Sequence, residues 1–214
     1  MPTRKLLRLS GGALCCLSLV LYVSADPYLQ ADAELAVKYA GAAYCCGTLG
    51  QGVERWDCYA CKMLPHMNAT VFSDRATNTN GFLGYEPATD RIWLSFAGTD
   101  PTSLRHWIDD ADFAPAKYNV SQCHGCKVHA GFYKCWRAVQ EEVTRQVDLL
   151  QQVHKTASLV VTGHSLGAGI ATLAALALKN THWTDRAAPI ALTALHTFGQ
   201  PRVGNAPFAS YART

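Results

Sequence analysis

One serine of this chain stands in the pentapeptide Gly163-His164-Ser165-Leu166-Gly167, whose residue types and spacing suit nucleophilic chemistry. The pattern Gly-x-Ser-x-Gly is typical of a sharp turn from a strand into a helix, because the glycines relieve crowding and leave the serine hydroxyl above the sheet. Acyl transfer by such a serine needs N–H donors for the oxyanion, a base for the proton and an acid that orients the base. The pattern also occurs by chance, and the alternative is a serine that only caps a helix.

The residues on either side of Ser165 predict the strand and the helix that must position it. Residues 159–162 are apolar and mostly β-branched, whereas residues 166–179 are rich in alanine and leucine and contain no proline. The N–H of Leu166, which follows the serine, is therefore the first predicted oxyanion donor. We predict that Thr99 supplies the second donor, because Gly98 lets the loop after an earlier strand turn toward the site. The alternative for this loop is an ordinary strand-ending turn.

The rest of the chain predicts an α/β fold with a largely parallel sheet. Hydrophobic periodicity predicts helices at residues 32–44 and 133–155. Strand-like runs at residues 81–85 and 91–97 flank a turn and predict a hairpin, and a further strand is expected at residues 190–198. Strands that alternate with long helices favour parallel pairing within one sheet.

The chain is long enough for one sizeable core and short for two domains, since 49% of its 214 residues are hydrophobic. Its first residues place three basic side chains before an apolar run at 11–23 and a few small residues. This layout predicts a cleaved signal peptide at residues 1–25 and one domain at residues 26–214, because a retained anchor needs about twenty apolar residues. We therefore expect a secreted protein with no transmembrane segment after cleavage. Acceptor patterns for N-glycosylation at Asn68 and Asn119 are consistent with secretion.

The charge of the mature chain argues against one class of partner. The full sequence has 19 Lys and Arg against 16 Asp and Glu, and the predicted signal peptide holds three of the basic residues and no acidic one. The remaining chain is formally neutral and has no basic cluster. A nucleic-acid partner is therefore not expected.

Seven of the nine cysteines lie outside the predicted signal peptide. Two Cys-x-x-Cys pairs, Cys58 with Cys61 and Cys123 with Cys126, are expected to form short-loop disulfides in a secreted chain. The pairs lie about sixty residues apart, too far for a zinc ribbon, and no strand directly precedes the first pair as a thioredoxin-like site requires. We predict neither a metal nor another cofactor. The odd count suggests that one remaining cysteine pairs beyond residue 214; the remaining three are Cys45, Cys46 and Cys135.

Five motifs follow one another in the order seen in fungal-type class 3 lipases. They are Phe96-Ala97-Gly98-Thr99, Trp107-Ile108-Asp109-Asp110, Val128-His129-Ala130-Gly131-Phe132, Val161-Thr162-Gly163-His164-Ser165-Leu166-Gly167 and Thr197-Phe198-Gly199-Gln200-Pro201-Arg202-Val203-Gly204-Asn205. The chain therefore resembles a secreted member of that family. The resemblance implies an α/β-hydrolase fold, hydrolysis of carboxylic esters such as triacylglycerols, Ser165 as nucleophile, and Thr99 and Leu166 as oxyanion donors.

The resemblance also implies a mobile lid and an interfacial substrate. The lid would map to residues 101–110, where Leu104, Trp107 and Ile108 could form the apolar face of a short helix. The substrate would then be a lipid or other ester at an oil–water or membrane interface. The alternative is a helix that is packed permanently into the core.

The chain departs from the family pattern in two places. The family commonly has an arginine where Ala97 stands, which concerns the bracing of the oxyanion loop and not its backbone donor. In the family the catalytic acid and histidine follow the segment that holds Arg202, whereas this sequence stops at Thr214 before either. We therefore expect an α/β-hydrolase fold that lacks its C-terminal strands and helices, and a 214-residue chain that is inactive or impaired.

Four histidines are candidates for the missing base, and none of them suits the role well. His182 and Asp185 follow a predicted helix that leads roughly 20 Å away from the serine. His164 cannot fold back onto the Ser165 hydroxyl without breaking the turn, and His129 in the family serves structure near the site. His196, on the next strand, is the least implausible substitute, with a buried neutral imidazole as the default.

Two other functions share these motifs. Feruloyl esterases and phospholipases use the same serine turn, so the class of ester stays open. A non-catalytic lipid-binding or decoy protein could also keep the fold. The intact turn at Ser165 argues against that second interpretation, because a binding role does not need a strained serine.

Overall fold

The computed structural model describes residues 29–46, 52–98, 114–179 and 192–213. These ranges contain a set of α-helices and β-strands whose order along the chain is α1 (Gln30–Ala42), β1 (Asn68–Asp74), β2 (Thr79–Glu86), β3 (Arg91–Phe96), β4 (Pro115–Lys117), β5 (Lys127–His129), α2 (Ala130–Val153), β6 (Ser158–His164), α3 (Leu166–Lys179), β7 (Leu192–Phe198) and α4 (Ala206–Tyr211). Between α1 and β1, short 3-10 helices lie at Ala43–Cys45, Val53–Arg55 and Cys61–Met63.

The main sheet has the strand order β1-β2-β3-β6-β7. Strand β6 pairs in parallel with β3 on one side and with β7 on the other. The strands β1, β2 and β3 form an antiparallel meander at one edge. The predicted α/β fold class is confirmed, and the parallel pairs of the described sheet lie on the side of β3, β6 and β7. Since parallel strands end at the same edge, the last residues of β3, β6 and β7 lie side by side.

The predicted elements correspond closely to the observed ones. The hairpin is β2 and β3, and α3 has the predicted bounds. The first helix ends at Ala42 and continues as the 3-10 turn Ala43–Cys45. The long helix begins three residues before the predicted start, because the His129 side chain accepts the N–H of Gly131 and caps it. The first two residues of the predicted strand at 190–198 lie outside the described residues.

Helices cover both faces of the sheet. Along β3, Ile92 and Leu94 pack into a core shared with α2 and α3, whereas Trp93 packs on the other face with Tyr39 of α1. The rings of Tyr39 and Trp93 stack with their centroids 4.2 Å apart. This alternation follows from the period of two along a strand, which lets one buried strand supply two cores.

Both predicted disulfides are present, Cys58–Cys61 and Cys123–Cys126. The free cysteines of the described ranges are the three that remained, Cys45, Cys46 and Cys135. Burial raises the pKa of the Cys46 thiol to about 12, so this thiol stays protonated at neutral pH. The pairing of a cysteine beyond residue 214 remains a prediction.

Several other predictions concern the surface or the ends of the chain. Asn68 and Asn119 are both exposed, as glycosylation acceptors must be. The predicted signal peptide lies outside the described residues. Within the described ranges, no helix is both long and apolar enough to cross a bilayer, and no group of three His, Cys, Asp or Glu residues could hold a metal ion.

An ion pair connects the start of α1 to the start of β3. The two Nη atoms of Arg91 donate to the two carboxylate oxygens of Asp32 at 2.8 and 3.2 Å, and less than a third of either side chain is exposed. The hydrogen bond from Arg91 holds the pKa of Asp32 below its usual 3.8, against a smaller opposing effect of burial. Two elements 59 residues apart are therefore joined by a charged, bidentate contact.

Replacing Asp32 by asparagine should lower the free energy of unfolding by about 1 kcal/mol at pH 7. Because the folded-state pKa of Asp32 is depressed, its contribution is complete above the unfolded pKa and is lost as the pH falls through the folded pKa. The difference between wild type and Asp32→Asn should therefore shrink between pH 6 and pH 3. Urea unfolding midpoints at these pH values measure it.

The matched control for this ion pair is Glu34→Gln, an exposed position on the same helix. Its carboxylate accepts a hydrogen bond from the nearby Gln30 side chain and has no ion pair to β3 among the described contacts. We expect little change in its urea midpoint at either pH. A gap between Asp32→Asn and wild type that stayed constant with pH would contradict the ion-pair assignment.

Candidate active site

Ser165 forms the turn between the end of β6 and the start of α3. Its φ of 56° places it in the left-handed region, and it is only 6% exposed. The Ser165 N–H donates to the carbonyl of Phe198 at 2.9 Å, and its own carbonyl accepts the N–H of Ala168 at 3.0 Å. A left-handed conformation costs a non-glycine residue about 1 kcal/mol or more. The end of β7 and the first turn of α3 therefore hold Ser165 in a strained backbone conformation.

The two glycines of the pentapeptide permit this turn by removing side chains. A Cβ on Gly163 would lie 2.5 Å from the carbonyl carbon and oxygen of Gly167. A Cβ on Gly167 would lie 2.3 Å from the carbonyl oxygen of Phe96, the last residue of β3. Both contacts are with backbone, which cannot move aside cheaply. The spacing Gly-x-Ser-x-Gly therefore lets the first turn of α3 pack against the ends of β6 and β3.

Only one of the two predicted oxyanion donors lies within the described residues. Leu166 is the first residue of α3, where helix geometry leaves the backbone N–H without a partner inside the helix. Thr99 lies outside the described residues, as does the predicted lid at 101–110. Gly98, which precedes Thr99, is described: a Cβ there would lie 2.8 Å from the carbonyl oxygen of His164. The start of the predicted oxyanion loop is therefore adjacent to the serine turn.

His164 makes its contacts away from the Ser165 hydroxyl. Its Nδ1 lies 2.7 Å from the Oη of Tyr44, which stands just after α1. Its Nε2 lies 3.3 Å from the position that a Cβ on Gly199 would occupy, and Gly199 has a φ of 55°. The sequence did not identify Tyr44 as part of the site. An Ala-Ala-Tyr-Cys segment at a helix end has no signal that could have shown it.

His129 has a structural position beside the site. It caps α2 through its Nδ1, and its ring stacks on that of Phe132 at a centroid distance of 4.4 Å. Phe132 in turn packs so closely on α3 that a Cβ at Gly169 would lie 2.8 Å from its ring. Burial lowers the pKa of His129, which favours the neutral imidazole. This agrees with the structural role that the family resemblance implied.

The side chain of His196 lies on the face of the sheet that α1 covers. It is the register partner of Thr162, whose hydroxyl donates to the carbonyl of Ala36 in α1. Register partners present their side chains on the same face of a sheet, so His196 points toward α1. Burial is the main cause that lowers its pKa, and the charges of Asp32 and Arg91 act on that pKa in opposite directions. These contacts favour a neutral structural imidazole over a base for Ser165.

No histidine or carboxylate in the described ranges is hydrogen-bonded to the Ser165 hydroxyl. His182 and Asp185 lie outside the described residues. Within the described ranges, Ser165 therefore has no hydrogen-bonded base of the kind that acyl transfer requires.

The segment after β7 contacts α3 through side-chain hydrogen bonds. The hydroxyl oxygen of Thr172 lies 3.0 Å from the carbonyl oxygen of Ala168 and 3.2 Å from the Oε1 of Gln200. Asn205 caps α4 by accepting the N–H of Phe208 and also accepts the N–H of Lys127. The last of the five motifs therefore serves to dock the loop after β7 against α3 and β5.

A cleft of about 700 Å³ lies between the Cys123–Cys126 loop and the C-terminal end of α3. Leu176, Lys179 and Tyr211 line it. Ser165 precedes the other end of α3, and ten or more helical residues at 1.5 Å each separate the two, roughly 15–20 Å. This cleft is therefore remote from the serine turn.

A strained serine between a helix and a strand that is paired in parallel on both sides, in a sheet covered on both faces, defines the class of α/β-hydrolases. The sequence model of the family described as Lipase (class 3) matches residues 93–214, more than half of the chain. The chain belongs to the class 3 lipase family.

Individual relatives agree with this assignment. The secreted mono- and diacylglycerol lipase A of Penicillium cyclopium is 33% identical over 185 residues, which are 83% of this chain and 57% of the relative. A lipase of Rhizopus niveus is 35% identical over 182 residues, which are 83% of this chain and 44% of the relative. The structure of a triacylglycerol lipase whose catalytic centre is a serine protease triad superposes with a TM-score of 0.70 at 29% identity, covering 86% of this chain and 66% of that one.

The chain spans about half the length of the curated relatives that it matches. The family resemblance read from the five motifs is confirmed. The catalytic roles of Ser165, Thr99 and Leu166 remain predictions.

Proposed function

We propose that this protein is a secreted hydrolase of lipid carboxylic esters with Ser165 as its nucleophile. The observation that carries the proposal is the left-handed Ser165 at the junction of β6 and α3, beside the end of β3. A backbone strain of this kind persists only when the surroundings enforce it, and it is common at reactive residues. The names of the relatives support lipids as the substrate class, and the name of the Penicillium relative supports secretion.

The proposed reaction proceeds in two halves. The Ser165 hydroxyl oxygen attacks the ester carbonyl carbon while its proton passes to a histidine base, and the N–H groups of Leu166 and Thr99 stabilise the oxyanion. Collapse of this intermediate breaks the ester bond and releases the alcohol, which takes the proton from the histidine. Water then attacks the acyl-enzyme by the same route and releases the carboxylic acid.

The base and its acid complete a serine protease triad, by analogy with the triacylglycerol lipase that carries one. In this proposal residues 26–214 supply neither of them. The polypeptide of residues 26–214 alone should then turn over esters on the order of a millionfold more slowly than a complete triad, keeping only the effects of the oxyanion donors and of binding. A robust turnover by that polypeptide would contradict this part of the proposal.

A panel of esters tests the proposed function. The polypeptide expressed from its complete coding sequence should hydrolyse emulsified acylglycerols and the p-nitrophenyl esters of octanoate and palmitate. The same panel includes a feruloyl ester and phosphatidylcholine, because those substrates separate related specificities. Hydrolysis restricted to the feruloyl ester or to the phospholipid would change the substrate class. Binding to lipid vesicles without any hydrolysis would replace the proposal with a non-catalytic lipid-binding role.

A further inference from the structure

Tyr44 lies where two segments that border the serine turn approach each other. Its Oη is 2.7 Å from the Nδ1 of His164, and the two rings are 6.0 Å apart at 52°. A Cβ on Gly98 would lie 2.1 Å from the same Oη and 2.8 Å from the His164 carbonyl oxygen. One hydroxyl group therefore contacts both the residue before Ser165 and the residue before Thr99.

The helix that delivers Tyr44 is attached to both of the strands whose ends it reaches. The hydroxyl of Ser95 in β3 donates to the carbonyl of Tyr39, and the hydroxyl of Thr162 in β6 donates to the carbonyl of Ala36. Ala42 and Ala43, just before Tyr44, are fully buried. Because α1 is fixed at several points, the Tyr44 side chain extends from a rigid support, which is the requirement for a residue that positions others.

The opposite side of His164 is also enclosed. Gly199 lies against the Nε2 edge of the imidazole, and its neighbour Phe198 accepts the N–H of Ser165 at 2.9 Å. Burial raises the pKa of Tyr44, so its phenol stays protonated and can donate a hydrogen bond to Nδ1 of His164. The imidazole is thereby held between Tyr44 and the loop after β7.

We propose that Tyr44 is a positioning residue that holds Gly98, at the end of the described part of this loop, in register with the turn of Ser165 and Leu166. Its hydroxyl fixes the residue after β3 relative to the serine turn through its contacts with His164 and Gly98. The inference rests on the proposed function, since it assigns Tyr44 a part in stabilising the oxyanion. Tyr44 itself does not touch the reacting atoms.

Replacing Tyr44 by phenylalanine keeps the ring and removes only the hydroxyl. In the polypeptide expressed from its complete coding sequence, we expect kcat to fall about tenfold with KM changed less than about twofold, because oxyanion donors act mainly in the transition state. The inhibition constant of a trifluoromethyl ketone, whose serine adduct carries an oxyanion, should rise by a similar factor. The melting temperature should change little.

The matched control is Tyr85→Phe. The Tyr85 hydroxyl also has a side-chain partner, Asp90 at 3.0 Å, but it lies near the turn between β2 and β3, at the sheet edge opposite Ser165. This variant should leave kcat, KM and the inhibition constant unchanged. In a double-mutant cycle, Tyr44→Phe should cost less in a His164→Gln background than in the wild type, because the two side chains share one of the contacts through which Tyr44 acts.

An amide NMR spectrum of residues 26–214 tests the positioning without any turnover. Tyr44→Phe should shift the Gly98 and Leu166 amide resonances, and Tyr85→Phe should not. Unshifted resonances would overturn the inference whether or not the protein hydrolyses esters. So would a loss confined to KM, or a loss of kcat equal to that of Tyr85→Phe. A wild-type protein without esterase activity would overturn the proposed function instead, and the NMR result would still decide whether Tyr44 holds the two segments together.

Discussion

Alanine in place of Ser165 should reduce kcat for ester hydrolysis by roughly a millionfold in the polypeptide expressed from its complete coding sequence. Removal of the hydroxyl oxygen leaves no group that can form the acyl-enzyme, so only the oxyanion donors and the bound substrate contribute to the residual rate. Alanine tolerates the left-handed conformation about as poorly as serine does, so the fold and the melting temperature should be preserved. A discontinuous assay of fatty acid release from an acylglycerol emulsion measures the loss.

A second serine provides the control. Ser73 lies on the edge strand β1 and is exposed, so Ser73→Ala removes a hydroxyl without touching the serine turn. It should keep full activity. The Ser165→Ala protein should also bind vesicles as well as wild type does, because the substitution removes one hydroxyl from a residue that is only 6% exposed. Residual activity within a hundredfold of wild type would mean that Ser165 is not the nucleophile.

The second large effect concerns Gly167. Replacement by alanine should lower the free energy of unfolding by about 3 kcal/mol or more and abolish activity. The new Cβ would lie 2.3 Å from the Phe96 carbonyl oxygen and 2.8 Å from the Ala97 carbonyl group, all of them backbone atoms. Relief of this overlap requires α3 to move away from the sheet, which would disturb fully buried side chains such as Ile170 and Leu173. Urea unfolding of the variant measures the cost.

Gly41 offers the opposite outcome for the same substitution. It lies on the exposed side of α1, and a Cβ there would meet no atom within 4 Å. Gly41→Ala should therefore stabilise the protein by about 0.5–1 kcal/mol, as expected for an unobstructed helix position. If Gly167→Ala unfolded at the urea concentration of wild type, the close packing of α3 on the end of β3 would be wrong.

The elements nearest to Ser165 were predictable because their determinants are local. The glycine spacing, the apolar run of β6 and the alanine-rich α3 lie within about twenty consecutive residues, and each acts through backbone sterics or periodicity. The same holds for the β2–β3 hairpin, with its turn residues, and for the two disulfides, whose cysteines are three residues apart. Such patterns require no knowledge of distant segments.

The strand β1 was not predicted, and its sequence explains why. Only Phe72 of its seven residues is buried, so the strand carries almost no hydrophobic period. Pairing with β2 along its whole length provides its stability instead. An edge strand of this kind depends on a neighbouring strand more than on its own residues.

The amino-acid sequence by itself determined the reactive turn, its two flanking elements and the family, because these depend on residues that are close together in the chain. Only the tertiary structure decided what surrounds that turn. Tyr44 and His164 are 120 residues apart, and their hydrogen bond exists because α1 is attached to β3 and β6 along one face of the sheet. Likewise, only the structure showed on which face of β7 the side chain of His196 lies, and that face does not bring it to Ser165. Contacts between residues that are far apart in the chain leave no local sequence pattern, because only the fold brings those residues together.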